Sequence, residues 1–332
     1  MALAIVRNLR RANAILAALI AFVLISGFLA PRLPLADSLA HFRFHLTVAM
    51  GLAAVSLFIW RDWRAAGFAC AVASAGFIGL APAFPVWGTV KAGGPAPSIT
   101  LVQLNLSFRN RRPEAVADFI RAAGADVVTL QEVTRNTGRV IELLGEDYPN
   151  RVRCPFARVG AVAVLSRLPG APGPTQGCVE GSGLAWLRVM AGGRPLSVAS
   201  VHLHWPYPFG QAPQIDRLEG RLESVPRPIL LAGDFNAAPW SHAVGRVAAA
   251  TGTEVAGGLR FTFDLRPGSW IPAIAMPIDH VLLPAGISSA EVRVGPGPGS
   301  DHRSVIARLA LAPGPQTGHA PGPLAQGSTD AE

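Results

Sequence analysis

Three long apolar runs open the chain, and then the pattern changes. Arg7, Arg10 and Arg11 precede an apolar stretch from Ala12 to Ala30, and Phe44 to Trp60 and Ala65 to about Pro85 follow. A run of about twenty apolar residues can cross a hydrocarbon layer roughly 30 Å thick. A basic start with one apolar run also fits a signal peptide. Two further runs with no polar domain between them favour a three-helix membrane anchor over residues 1–87. The second and third runs are rich in Ala and Gly, which suits helices packed closely on their neighbours. His45, at the rim of the second run, reads as an interfacial residue rather than a proton carrier.

The short loops orient the anchor. Arg7, Arg10 and Arg11 share one side with Arg61 and Arg64, while Arg32, Arg43 and Lys91 fall on the other. This positive-inside bias puts the N-terminus in the cytoplasm. Three crossings then make a multi-pass protein of the inner (plasma) membrane with everything after Trp87 outside, in the periplasm of a Gram-negative cell. Residues 88–98 (Lys-Ala-Gly-Gly-Pro-Ala-Pro at their centre) read as a flexible tether.

From Ile99 to about Ala312 the grammar is short apolar strands separated by turns and helices. Strands are predicted at Ile99–Leu104, Asp126–Leu130, Ala161–Leu165, Leu184–Val189, Leu196–His202, Ile229–Ala232, Ile278–Leu283 and Val305–Leu309. Leu184–Val189 and Leu196–His202 are expected to be antiparallel neighbours. Helices are predicted at Pro113–Ala123 and Gln214–Val225. Strands with a few helices suggest two packed sheets with helices outside. Residues 313–332 carry the composition of a disordered tail.

Half of the 332 residues are hydrophobic and only 15% are charged, too apolar for an ordinary soluble domain. The net charge of +8 favours anionic partners, such as phosphodiesters, lipid headgroups or nucleic acid, without choosing among them. No feature points to a protein partner. Of three cysteines, Cys70 lies in an apolar run and reads as inert packing. Cys154 and Cys178, 24 positions apart, lack the spacing of a zinc site. They could form a disulfide if their domain is exported, and should stay reduced if it is not.

The chemistry centres on Leu230-Leu-Ala-Gly-Asp-Phe-Asn-Ala-Ala-Pro-Trp240. An apolar strand stops at Gly233, and Asp234 and Asn236 follow one residue apart, which should project them the same way. An Asx turn that merely satisfies local backbone is the bland alternative. Other polar groups also sit at the borders of apolar strands: Asn105, Glu132, His202, Asp279 with His280, and Asp301 with His302. These types suit metal-assisted attack on a phosphodiester. Glu132 and Asp301 are hard oxygen ligands of the kind Mg²⁺ prefers, with Mn²⁺ an alternative and Asn105 a further ligand. His302 is the candidate general base for water, its ring held by Asp279. Asn105, Asn236 and His202 could donate to non-bridging oxygens. Asp234 would orient the water or assist the leaving oxygen. His204 and His242 read as surface or structural. Tyr207 is equally well explained as lining a substrate cleft or as anchoring its loop.

In order, Gln-Leu-Asn105, Leu-Gln-Glu132, Val-Leu-Ser-Arg167, Ser-Val-His202, Gly-Asp234-Phe-Asn236-Ala, Ile-Asp279-His-Val-Leu and Ser-Asp301-His302 resemble the motif series of the endonuclease/exonuclease/phosphatase superfamily. That superfamily includes DNase I, abasic-site endonucleases, sphingomyelinases and inositol polyphosphate phosphatases. The resemblance covers about Ile99 to Leu311, and the whole layout resembles its membrane-anchored bacterial branch. It implies a four-layer α/β sandwich, two packed mixed sheets flanked by helices, after three transmembrane helices. It also implies a divalent metal at Glu132 and Asp301, and His302 paired with Asp279. Ser107 departs from the pattern, standing where some abasic-site endonucleases carry a second acid. The resulting expectation is a membrane-anchored, metal-dependent phosphodiesterase or phosphatase. Rival readings are an extracytoplasmic DNA or RNA nuclease and an inactive binding module. A nuclease needs a basic groove, and the arginines are not clustered in sequence.

Overall fold

The computed structural model describes residues 2–31, 33–83, 99–264 and 275–311. The expected tether at 88–98 and tail at 313–332 lie outside them.

Four helices form the N-terminal part: α1 (Ala2–Ser26), α2 (Pro34–Ala40), α3 (Arg43–Ile59) and α4 (Trp63–Ile78). Where α1, α3 and α4 meet, the buried residues are mostly small: Ala17, Ala21, Ala53, Ala54, Ala66 and Ala69, with Leu24, Met50 and Leu57. The large apolar side chains, among them Leu19, Phe22, Leu52, Phe58 and Ile78, stand exposed on the outside. Small inside and large outside lets the helices approach closely and leaves an apolar outer surface.

The three expected spans are all helical but not equally long. Among the described residues, only Ala4–Leu29 is long and apolar enough to cross a membrane by itself; α2 and α3 pass together, bent by 62°, and α4 is shorter. The bend falls at buried Arg43, which donates to Gly79 O at 3.0 Å and Gly27 O at 3.2 Å and so ties three helix ends together. Cys70, expected as packing, is exposed on α4.

The following elements are β1 (Ile99–Asn105), α5 (Pro113–Ala122), β2 (Val127–Val133), α6 (Arg139–Leu143), β3 (Asn150–Ala157), β4 (Gly160–Ser166), β5 (Gln176–Val179), β6 (Leu184–Ala191) and β7 (Arg194–His202). Then come α7 (Gln211–Glu223), β8 (Ile229–Asp234), α8 (His242–Thr251), β9 (Thr253–Val255), β10 (Phe263–Asp264), β11 (Ala275–Met276), β12 (Asp279–Pro284), β13 (Ile287–Val294) and β14 (Val305–Leu311). Two six-stranded mixed sheets run β13-β14-β1-β2-β4-β3 and β5-β6-β7-β8-β12-β9. The antiparallel β6–β7 pair is as expected. Alternation along each strand builds three layers of core. Ile99 and Leu101 of β1 pack between the sheets with Val198 and Leu230, while Val102 and Leu104 pack under Val116 and Ile120 of α5. On the other outer face, Leu218 and Val244 of α7 and α8 cover Leu231. The result is the expected helix–sheet–sheet–helix sandwich.

Beyond any tether, the anchor docks on this sandwich. Leu80 and Ala83 pack with Ala238 and Trp240, Phe44 joining them. Trp240 Nε1 donates to Ala40 O at 2.7 Å, and both carboxylate oxygens of Asp37 accept from the first turn of α8, His242 N at 2.8 Å and Ala243 N at 3.0 Å.

Candidate active site

Parallel pairing sets β1 beside β2 and β7 beside β8, so their polar ends gather at one edge of the sandwich. There Asp279 opens β12 opposite Asp234, which closes β8. His302 arrives from the loop before β14 and bridges to Phe263 of β10. Its Nδ1 lies 2.9 Å from Asp279 Oδ2, the pairing expected from the sequence. Asp234, Asp279 and His302 are buried and offer ligand atoms within 4.8 Å of one another.

Asp234 sits at the middle of the cluster. Its Oδ2 accepts from Asn105 Nδ2 at 2.9 Å and lies 3.4 Å from His202 Nε2 and 3.8 Å from His302 Nε2. Its Oδ1 accepts from Asn236 N at 2.8 Å, so the Asx turn and the site coexist. Burial would raise this carboxyl, but His302 and His202 outweigh it and bring the pKa down to about 2. Burial would likewise lower the His302 imidazole, yet Asp279 and Asp234 raise it to about 10. At neutral pH the cluster therefore holds an imidazolium beside the Asp234 carboxylate, while burial pushes the Asp279 carboxyl up against the pull of His302.

Glu132 stands beside this cluster. Asn105 Nδ2 lies 3.3 Å from its Oε1, and Phe108 N donates to its Oε2 at 2.6 Å. Burial pushes its carboxyl up. Three non-glycine residues with positive φ surround the site: Ser107 (58°), Glu132 (56°) and Asn236 (46°). Left-handed backbone at ordinary residues is costly and gathers where side chains must be aimed.

Asp301, expected as a ligand together with Glu132, acts on His302 by its charge, while the neighbours of Glu132 are Asn105, His202, Asp234 and Phe108 N. The chain is extended at His302, so its neighbour points the other way; Asp301 is exposed and lines a cleft beside the site. Asn236 Nδ2 donates to Leu203 O at 2.8 Å and lies 3.5 Å from His202 Nε2, while its Oδ1 is buried without a partner. His280 is structural, its Nε2 bonded to Ala237 O at 2.7 Å and its ring against Phe235.

A match to the Endonuclease/Exonuclease/phosphatase family model spans residues 102–302, from β1 to the paired histidine. The chain belongs to this family. No curated protein matches it. Solved structures of similar fold include an endonuclease/exonuclease/phosphatase from Beutenbergia cavernae DSM 12333, 21% identical over 65% of this chain and 72% of its own, with a TM-score of 0.52. Another, from Bacteroides vulgatus, is 17% identical over 64% and 98%, TM-score 0.50. A family protein from Leptotrichia buccalis C-1013-b is 15% identical over 64% and 100%, TM-score 0.50. Membership makes this chain one of the metal-dependent hydrolases of phosphoester bonds.

Reading this family member from sequence misses Gln103. Its Nε2 donates to Asp279 Oδ1 at 2.8 Å and Gln131 Oε1 at 2.9 Å, and Gln131 Nε2 donates to Ser200 Oγ at 3.0 Å. This buried chain joins the two sheets beneath the Asp279–His302 pair. Its signal was a glutamine inside an apolar strand, two positions before Asn105 and so on the same face. Cys154 and Cys178 form a disulfide with Cα atoms 5.2 Å apart. Tyr148 is buried, its hydroxyl donating to Ala125 O at 2.8 Å, away from the site.

Proposed function

We propose that the chain is a membrane-anchored, divalent-metal-dependent phosphoesterase whose catalytic domain lies outside the cytoplasm. The observation that carries this reading is the buried Asp279–His302–Asp234 cluster with Asn105 and Glu132 beside it. The donor set fits a hard cation: a carboxylate and an amide at Glu132 and Asn105, with the unpartnered Asn236 Oδ1 close by. Bound there, Mg²⁺ or Mn²⁺ would polarise a phosphoryl oxygen and offset charge as it develops.

The chain's own groups divide the remaining work. Asp279 and Gln103 fix the His302 ring, whose Nε2 proton is free to meet a non-bridging phosphoryl oxygen. His202 and Asn236 add donors on the same side. The sequence assigns the water's proton to His302, but an imidazolium has no lone pair to accept it. Charged Asp234 takes that role in this reading, positioned by Asn105 and by its own turn.

Topology supports the location. The bundle end that carries Arg7, Arg10, Arg11, Arg61 and Arg64 is opposite the end docked on the sandwich, and the disulfide belongs in an oxidising compartment. Full-length protein in detergent should hydrolyse bis-p-nitrophenyl phosphate with Mg²⁺. Unchanged turnover in both His302→Ala and Glu132→Ala would overturn the mechanism. A nuclease is the second reading, favoured by one observation: Arg135, Arg153 and Arg158 line a cavity of ≈ 440 Å³ that also touches Val133, next to Glu132.

A further inference from the structure

The site shares a wall with the membrane anchor. Along residues 261–263, Phe261 packs on Phe44 of α3 with ring centroids 5.2 Å apart. Thr262 Oγ1 accepts from Asp279 N at 3.3 Å, and Phe263 lies on the His302 ring at 4.7 Å. One short segment thus touches the anchor and both members of the catalytic pair. In front of it opens a cleft of ≈ 350 Å³, lined by Phe44 and His45 from the anchor and by Phe261, Phe263, Asp301 and Arg303 from the catalytic domain. Its walls are aromatic at the anchor end and charged at the His302 end.

The cleft's level in the membrane follows from the bundle. Arg43 bridges the ends of α1 and α4 at the start of α3, so Phe44 and His45 sit where the helices leave the bilayer. The loop 204–209 lies at the same level, since Ser38 Oγ of α2 donates to Tyr207 O at 3.2 Å. That loop exposes three aromatic side chains, Trp205 at 43%, Tyr207 at 54% and Phe209 at 70%. Trp205 also meets Phe263 at 5.6 Å, joining the loop to the catalytic wall. Exposed Trp, Tyr and Phe beside a membrane helix suit the headgroup layer, where an amphipathic ring is stable.

We infer that the substrate is a membrane phospholipid, an inference that rests on the phosphoesterase reading above. The 204–209 loop seats in the interface, the phosphate reaches His302 and Arg303, and the lipid's apolar side lies against Phe44 and Phe261. Water's oxygen bonds to phosphorus, one P–O ester bond breaks, and the alcohol released takes up the proton that Asp234 removed from the water. A polynucleotide would meet the aromatic wall of Phe44 and Phe261 here rather than a basic groove.

Full-length protein reconstituted with Mg²⁺ into vesicles of equal parts phosphatidylethanolamine, phosphatidylglycerol and phosphatidylcholine tests this. Duplex DNA and bis-p-nitrophenyl phosphate serve as soluble substrates. Hydrolysis of a vesicle lipid, lost in Glu132→Gln, is the expected result. Cleavage of DNA or of the soluble diester with all three lipids intact overturns the lipid inference and leaves the phosphoesterase standing. Turnover of none of them removes both. A loop variant, Trp205→Ser with Tyr207→Ser and Phe209→Ser, should lower the ratio of vesicle to monomeric short-chain lipid turnover about tenfold, because apolar burial drives interfacial seating. An unchanged ratio overturns the seating of this loop.

Discussion

Asp234 serves local backbone with one oxygen and the site with the other, and the residue scale is where its charge can be tested. His302 rises from 6.5 to about 10 on folding, so its contribution to stability is fully present below pH 6.5 and is lost as pH climbs to about 10. Asp234 falls from 3.8 to about 2, so its contribution is present above pH 3.8 and is lost as pH falls toward 2. In chelated, metal-free protein, wild type should therefore melt above His302→Asn by the largest margin near pH 6. That margin should shrink steadily toward pH 10, and a flat margin would show that the imidazolium is not held by its carboxylates. Turnover should fall by roughly 10²–10⁴ in the same variant if the ring touches the reacting phosphate, measured on bis-p-nitrophenyl phosphate. Asn105, His202, Asp234 and Asp279 were legible as site candidates because each is a polar residue at the border of an apolar run. Asp301, expected to hold a metal with Glu132, stands exposed at the cleft while its neighbour His302 takes the inward side, a facing that sequence does not give. Gln103 went unread because a buried polar residue mid-strand looks, without coordinates, like a lapse in the apolar pattern.

Among elements, legibility divided cleanly by position in the sheet. The strands read from sequence, β1, β2, β4, β6, β7, β8, β12 and β14, are the interior ones, mostly buried on both faces and so richly apolar, though β6 leaves Trp186 and Arg188 half-buried. Of the unread strands, β3, β5, β9 and β13 are the four edges of the two large sheets, and β10 and β11 are a two-residue pair outside them. Asn-Arg-Val-Arg-Cys-Pro-Phe-Ala in β3 shows why: exposed arginines and a proline protect an edge from pairing and also hide it. Glu132 depends on one further element feature. The β2–β4 register slips between Leu130 and Val133, and Gly160 opposes that bulge with φ of 124°. A Cβ there would stand 2.8 Å from the Glu132 carbonyl carbon. Gly160→Ala should therefore displace Glu132 and cut turnover by up to about 10²-fold, the cost of roughly an ångström of misplacement. Near-ultraviolet circular dichroism should stay native, and wild-type turnover in this variant would show that Glu132 does not depend on the bulge.

At the scale of the whole molecule, the anchor completes the catalytic domain rather than leashing it. The disulfide can be read first: in intact cells Cys154 and Cys178 should resist alkylation until a reductant is added, and free labelling without one would count against export. The docking makes a stronger demand. A helix begins with backbone N–H groups that nothing within it can satisfy, and in α8 Ser241 Oγ accepts only that of Val244. The N–H groups of His242 and Ala243 are met by Asp37, a carboxylate from the anchor placed where the helix dipole favours negative charge. α8 packs Val244 and Val247 on the sheet that carries Asp234, so loosening its start reaches the floor of the site. Asp37→Ala in the full chain should cost about 1 kcal/mol, seen as a lower melting temperature, and Asp37→Asn should recover part of it, since an amide oxygen can still cap. If the two variants melt together at the wild-type temperature, the Asp37 cap does not couple the anchor to α8.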